Sequence, residues 1–191
     1  MQSHFFAYIA RMRNIARWAL MHNTYIENVQ EHSHMVAVLA HALAVIRVNV
    51  FHGEIDVGQV TSCALYHDAT EILTGDMPTP IKYYNPEIKD SYRKVEAVAQ
   101  ERLLDMLPGE LRGAYENVVR VTDPEVHRLV KAADKLSAHI KCLEELKSGN
   151  AEFRRAAEQT RLALEEMNCP ELDYFMAHFL PSFSKTLDEL E

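Results

Sequence analysis

The chain has 191 residues, enough to bury a core of its own, and its hydrophobic content of 48% and charged content of 25% are ordinary globular values. A formal charge of −8 argues against a nucleic-acid backbone as partner, because that binding rests on clustered Lys and Arg, although a small phosphorylated ligand needs only a few local cations. Six glycines and seven prolines are few, so long helices with short connections are expected rather than a many-turned β fold. Cys63, Cys142 and Cys169 are odd in number and lack metal-type spacing, so they read as buried or free thiols in a reducing compartment. The first residues lack a basic segment followed by an apolar block, and the apolar stretch 36–46 is interrupted by His41 and too short for a bilayer. A soluble cytoplasmic protein with no membrane partner is expected.

Phe5, Tyr8, Ile9, Met12 and Ile15 recur at helical steps and predict an amphipathic helix that Arg17-Trp18 closes. Residues 19–27 read as a loop. Asn28 with Glu31 is a variant of the capping-box start, and Val29, His32, Val36, Leu39 and Leu43 then share one face, apolar except for His32. After His52-Gly53, the N-cap candidate Asp56 opens a third helix, which Val57, Val60 and Ala64 carry into His67-Asp68. Residues 74–80 contain Gly75, Pro78 and Pro80 and read as a loop, and prolines at 80 and 86 argue against a helix through that segment. Ile88, Tyr92, Val95, Ala99 and Leu103 predict a fourth long helix ending near Pro108-Gly109, with a short one over 110–120. Asp123-Pro124-Glu125 combines an N-cap, a proline at N1 and an acid in the first turn. From there Val126, Leu129, Val130, Ala133, Leu136, Ile140 and Leu143 run to the C′ candidate Gly149, with Asp134 inside the run. A sixth helix over 153–167 precedes a seventh marked by Leu172, Phe175, Phe179, Phe183 and Leu187, which Pro181 kinks or splits. No alternating strand, repeat or linker interrupts this pattern, so the expectation is one all-α domain over residues 1–191 with six to seven main helices.

Three of these helices carry a metal-capable residue among core positions: His32, His67-Asp68 and Asp134. Carboxylates on an apolar face are costly unless paired or bound to a cation, which is the physical reason to expect them to meet. Two imidazole nitrogens and two carboxylate oxygens suit Mn, Fe, Co, Ni or Zn and are poor for Ca. On a six-coordinate ion they leave two positions for water and substrate, and a bound water becomes a nucleophile near neutral pH. One geometric demand follows: adjacent helical residues point roughly 100° apart, so His67 and Asp68 share an ion only where the helix end lies against it. The competing readings are a core histidine bonded to a backbone carbonyl for His32, and for Asp134 a satisfied buried acid or a partner of Lys131.

Glu31-His32-Ser33, Tyr66-His67-Asp68-Ala69-Thr70-Glu71 and Lys131-Ala132-Ala133-Asp134 resemble the HD-domain superfamily of metal-dependent phosphohydrolases. His4-Phe5-Phe6, Arg17-Trp18, Glu27-Asn28-Val29-Gln30-Glu31-His32-Ser33, the stretch 74–83 and Lys141-Cys142-Leu143-Glu144-Glu145-Leu146 are similar more closely to the bacterial HD-domain 5′-deoxynucleotidases, over nearly the whole chain. The resemblance implies a homodimeric, all-helical enzyme that removes phosphate from deoxyribonucleoside 5′-monophosphates with a divalent cation, cobalt favoured and manganese or another transition metal the alternative. It assigns His32, His67, Asp68 and Asp134 to the metal, with Asp68 and Asp134 also beside the substrate. It places Arg17 and Trp18 on the phosphate, Glu71 as catalytic acid or base, and Asp76, Met77, Pro78 and Thr79 on the nucleotide. Met77 stands where leucine is expected. Apart from the resemblance, Arg17 reads as a helix C-terminal cation, Trp18 as core, Glu71 as a solvated helix-end acid and Asp76 as a turn acid.

Two-metal HD enzymes use extra histidines between the doublet and the last aspartate. His127 alone occupies that interval, so one metal per chain is expected. The enzymatic rival is a phosphodiesterase or triphosphohydrolase, though a triphosphate needs a more basic pocket than these sparse cations offer. The rival of another class is a catalytically idle nucleotide sensor or helical scaffold, against which the intact His32, His67, Asp68, Glu71 and Asp134 argue.

Overall fold

A computed structural model of the chain describes residues 2–82 and 84–190, and at Thr79 and Pro80 the backbone alone. It is all-helical: among the described residues there is no strand, only an isolated antiparallel bridge between Ala16 and Asn28. The α-helical segments are α1 (Phe5–Ile9), α2 (Val29–Asn49), α3 (Val57–Tyr66), α4 (Glu71–Thr74), α5 (Thr79–Lys82), α6 (Pro86–Leu104), α7 (Gly109–Val119), α8 (Pro124–Lys147), α9 (Arg154–Glu165) and α10 (Pro170–His178). Leaving aside the four-residue turns α4 and α5, eight helices stand where periodicity suggested six to seven. The eighth is α7, the short helix expected over 110–120 and not counted among the main ones; Val119 is its one buried residue.

The two longest helices are set by their caps. Asn28 Oδ1 accepts from Glu31 N (3.0 Å) while Glu31 Oε2 accepts from Asn28 N (3.3 Å), a complete capping box at the start of α2. Asp123 Oδ1 accepts from Glu125 N (2.8 Å) and Val126 N (3.3 Å) at the start of α8, and Gly149, at φ 85°, ends it in the left-handed region. Helix α2 packs against α3 and α8, with α10 on α2 and α9 on α8. Val36, Leu39, Leu43, Val60, Leu129, Leu136, Leu164 and Leu172 fill the core between them. His32 lies fully buried on the same face of α2 as Val29, Val36 and Leu43. The three cysteines are buried and free. No described helix is long and apolar enough to cross a membrane.

The boundaries can be compared with the periodicity one by one. The first helix ends early: α1 passes into a 3₁₀ turn over Ala10–Asn14, and Arg17-Trp18 lie beyond it, in a strap closed by the Ala16–Asn28 bridge. Pro86 begins α6 and no helix crosses it; the Asn85 side chain caps Ile88 N (2.7 Å) and a first-turn proline sacrifices no hydrogen bond. Pro80 is likewise accommodated near the start of α5. Pro181 splits the C-terminal pattern, leaving α10 and a 3₁₀ segment over Leu180–Ser184.

Candidate metal and phosphate site

Helix α3 stops at Tyr66, and residues 67–70 form a turn before α4. That turn meets the geometric demand on the doublet, since Asp68 leaves the helical spacing and its Oδ2 comes 3.1 Å from His67 Nε2. His67 Nδ1 lies 2.8 Å from the Ala64 carbonyl, which only accepts, so Nδ1 carries a proton. Nε2 is buried and makes no hydrogen bond among the described residues, with that Asp68 oxygen its near neighbour. Across the core, His32 Nε2 lies 3.1 Å from Asp134 Oδ1 and 3.6 Å from Asp68 Oδ2. His32 Nδ1 lies 3.2 Å from Ser137 Oγ. Asp134 and Ser137 are one turn apart on α8 and so grip the two nitrogens of one imidazole. Asp134 thus pairs with His32 and not with Lys131.

The donor atoms of His32, His67 and Asp68 all lie within 4.8 Å of one another. Asp134 stands outside that tightest set and joins it through His32. Burial works against charge on Asp68, but His67 and His32 outweigh it and hold its pKa down at about 2. Asp134 is likewise held well below the carboxylate range, against burial, by its bond to His32. Burial also opposes charge on His67, yet Asp68 and Asp134 overcome it and raise its pKa. The spot therefore favours a positive charge in a buried setting. A divalent transition metal fits these residues: nitrogen and oxygen donors converge, and His67 Nε2, with no hydrogen bond among the described residues, stands 3.1 Å from Asp68 Oδ2.

The phosphate-side candidates come from the strap. Arg17 N donates to the Glu27 carbonyl (2.9 Å) and Val29 N to the Ile15 carbonyl (3.0 Å), which holds the strap against the start of α2. Arg17 Nη1 lies 3.4 Å from Asp68 Oδ2, so the guanidinium borders the histidine–aspartate cluster and is no helix-end cation. Burial opposes its charge, and Asp68, Asp134, Glu27 and Asp76 outweigh it. Trp18 is half-buried with φ 57°, its ring 5.4 Å from that of Phe153 and its Nε1 donating to Glu27 Oε2 (3.3 Å).

Glu71 is buried in the first turn of α4, and its Oε2 has no hydrogen-bond partner among the described residues. Burial first, then the charges of Asp68 and Asp76, push its pKa up to about 9, against Arg17 and Lys82. Gly75 takes φ 74°, a left-handed turn that a Cβ would strain, and delivers Asp76 to the cluster. Burial, followed in the raising direction by Asp68, also lifts the Asp76 pKa. Met77 and Pro78 are half-buried in the connection to α5. The expectation on Thr79 falls on a side chain outside the described residues. His127 is exposed and stands apart from the donor cluster. The residue reading missed the roles of Glu27 and Ser137. Ser137 left a signal, a polar residue one turn beyond Asp134 on a buried face, whereas Glu27 sits in a loop where periodicity is silent.

The family model for 5′-deoxynucleotidase YfbR-like proteins matches residues 4–183. A 5′-deoxynucleotidase of Pectobacterium atrosepticum is 50% identical over 191 residues, covering 99% of this chain and 96% of that one. One from Vibrio cholerae is 49% identical, covering 99% and 98%. An HD-domain phosphohydrolase from Listeria innocua superposes with a TM-score of 0.80 at 20% identity, covering 94% of this chain and 88% of that one. A cyanophage S-2L HD phosphohydrolase, solved with dA and one catalytic Zn²⁺ ion, gives 0.67 at 24% identity, covering 94% and 96%. These two likenesses establish the HD phosphohydrolase fold.

Proposed function

The chain belongs to the YfbR-like 5′-deoxynucleotidase family and is a metal-dependent phosphomonoester hydrolase acting on deoxyribonucleoside 5′-monophosphates, and we propose that the site described above carries that reaction. In this reading His32, His67, Asp68 and Asp134 hold one divalent ion per chain, with cobalt favoured by the family resemblance and manganese or another transition metal the alternative. A single observation carries it: the buried His67 Nε2, which makes no hydrogen bond among the described residues, faces Asp68 Oδ2 at 3.1 Å and His32 beside the guanidinium of Arg17. The divalent cation, when bound, supplies Lewis acidity toward the phosphate and a water acidic enough to attack near neutral pH.

The chain's own residues do the rest. Arg17 presents a planar fork to phosphate oxygens beside the carboxylates. Trp18 and the segment Asp76, Met77, Pro78 and Thr79 wall the nucleoside, with Asp68 and Asp134 at its phosphate end. Glu71, whose pKa burial raises in the metal-free chain and whose Oε2 makes no hydrogen bond among the described residues, acts on the attacking water or donates a proton to the leaving 5′ oxygen, so that no alkoxide is expelled. The fold is read as one HD domain over residues 1–191, working as a cytoplasmic homodimer without nucleic-acid or membrane partners.

The test is a phosphate-release panel of deoxy- and ribonucleoside monophosphates after EDTA treatment, with single metals added back. Deoxy substrates hydrolysed only on metal addition, with phosphate and no pyrophosphate released, are expected. Metal-loaded protein that binds a deoxynucleotide tightly but releases nothing would make it a sensor.

A further inference from the structure

The strap contains one buried acid that touches both phosphate-side residues. Glu27 Oε2 accepts from Arg17 Nε (3.1 Å) and from Trp18 Nε1 (3.3 Å), while Oε1 lies 3.9 Å from His32 Nδ1. Its side chain is 11% exposed. We propose that Glu27 is the positioning residue of the phosphate side, a carboxylate whose one oxygen locks the Arg17 guanidinium and the Trp18 indole into a single rigid unit against His32. The proposal rests on the reading that Arg17 takes the substrate phosphate.

The geometry explains why the acceptor matters. By occupying Nε, Glu27 fixes the plane of the guanidinium and turns its terminal nitrogens toward the cluster, where Nη1 reaches Asp68. Charge neutralisation does not require it, since Asp68, Asp134 and Asp76 also face Arg17. What those three cannot supply is the bond to Nε and the simultaneous bond to the indole. Trp18 also holds a left-handed backbone, a conformation that persists only where surrounding contacts over-determine it. Its bond to Glu27, its packing on Phe153 and the bond from Asn23 Nδ2 to its carbonyl (3.2 Å) are those contacts.

Three substitutions of the full chain separate hydrogen-bond direction from charge. Glu27→Gln keeps an acceptor oxygen in place, Glu27→Asp keeps the charge but withdraws the oxygen, and Glu27→Met keeps the bulk and removes the acceptor. Steady-state kinetics on a deoxyribonucleoside monophosphate with added metal are read together with the emission of Trp18, the one tryptophan of the chain, and the melting temperature. Glu27→Gln should stay within about threefold of wild type, while Glu27→Asp and Glu27→Met raise KM about tenfold or more and shift the emission maximum. Glu27→Asp keeps the test decisive even where Glu27→Met does not fold. In the cycle with Arg17→Met, the double variant with Glu27→Met should lose clearly less than the product of the two single losses. Wild-type KM in all three variants, or Glu27→Gln as poor as Glu27→Met with Glu27→Asp unaffected, overturns the positioning role. Losses that multiply in the double variant overturn it as well. Arg17→Met with an unchanged KM is a separate result, which removes the phosphate reading beneath it.

Discussion

Glu71 joins two properties that pull against each other: a carboxyl suited to proton donation and a buried acid that costs stability when ionised. Its folded pKa, raised by burial and then by Asp68 and Asp76 to about 9, exceeds the ordinary 4.5, so the metal-free folded chain keeps a proton that the unfolded chain releases. Stability from this group is therefore greatest below 4.5 and declines as pH rises toward 9. Glu71→Gln should lower kcat about 10²–10⁴-fold, yet raise the melting temperature of the metal-free protein over wild type at pH 8 and much less at pH 5. A variant less stable at pH 8 than at pH 5, relative to wild type, contradicts a buried neutral Glu71. Trp18 carries the other residue-scale prediction. A ribose 2′-hydroxyl is rejected only weakly by an ordinary pocket, so a stiff wall has to do it. Trp18→Ala should reduce the deoxy-to-ribo ratio of kcat/KM by about tenfold. An unchanged ratio takes the indole out of the selection.

At the level of elements, Gly75 is the hinge between the α4 turn and the segment carrying Asp76, Met77 and Pro78. With φ 74° and nothing among the described residues within 4 Å of an added Cβ, Gly75→Ala introduces backbone strain, costing about 1 kcal/mol. Asp76 should then move, and KM should rise more than kcat falls; a change in kcat alone would place the segment away from the bound nucleotide. Helix starts were the most legible features of the sequence, because Asn28, Asp56 and Asp123 each advertise a side-chain acceptor two or three residues before the amide that needs it. Helix ends were less so. The α1 pattern continues to Ile15 although the helix gives way to a 3₁₀ turn at Ala10, because periodicity records which face is buried and not the hydrogen-bond register. Pro86 held as a barrier, since α6 starts on it, whereas Pro80 was read as loop and stands in the first turn of the short α5: a proline forbids the interior of a helix but suits its first turn.

For the whole molecule, the scarcity of turn residues and the long amphipathic runs pointed correctly to an all-helical fold built around α2 and α8. The site was legible in its parts, a histidine or aspartate on each of three apolar faces. That His32 meets Asp134, 102 residues away, followed from the cost of burying both groups and from the family resemblance, since no local spacing encodes it. Ser137 stayed hidden because its contact with His32 spans 105 residues, and Glu27 because it sits in a loop, where no periodicity shows that it turns to Arg17 and Trp18. The same convergence ties stability to the cation. Metal binding at a hundredfold excess over Kd should stabilise the fold by about 2.7 kcal/mol, so chelation should lower the melting temperature, and Asp134→Ala should abolish the metal-dependent part of that shift. Equal melting temperatures with and without metal would mean that the cluster does not bind it.

Anomalous scattering from crystals grown with cobalt or manganese tests the central claim most directly. One peak per chain is predicted, bounded by His32, His67, Asp68 and Asp134 and next to Arg17. A peak elsewhere, two peaks in the cluster, or an ion that leaves Asp134 unliganded would contradict the account.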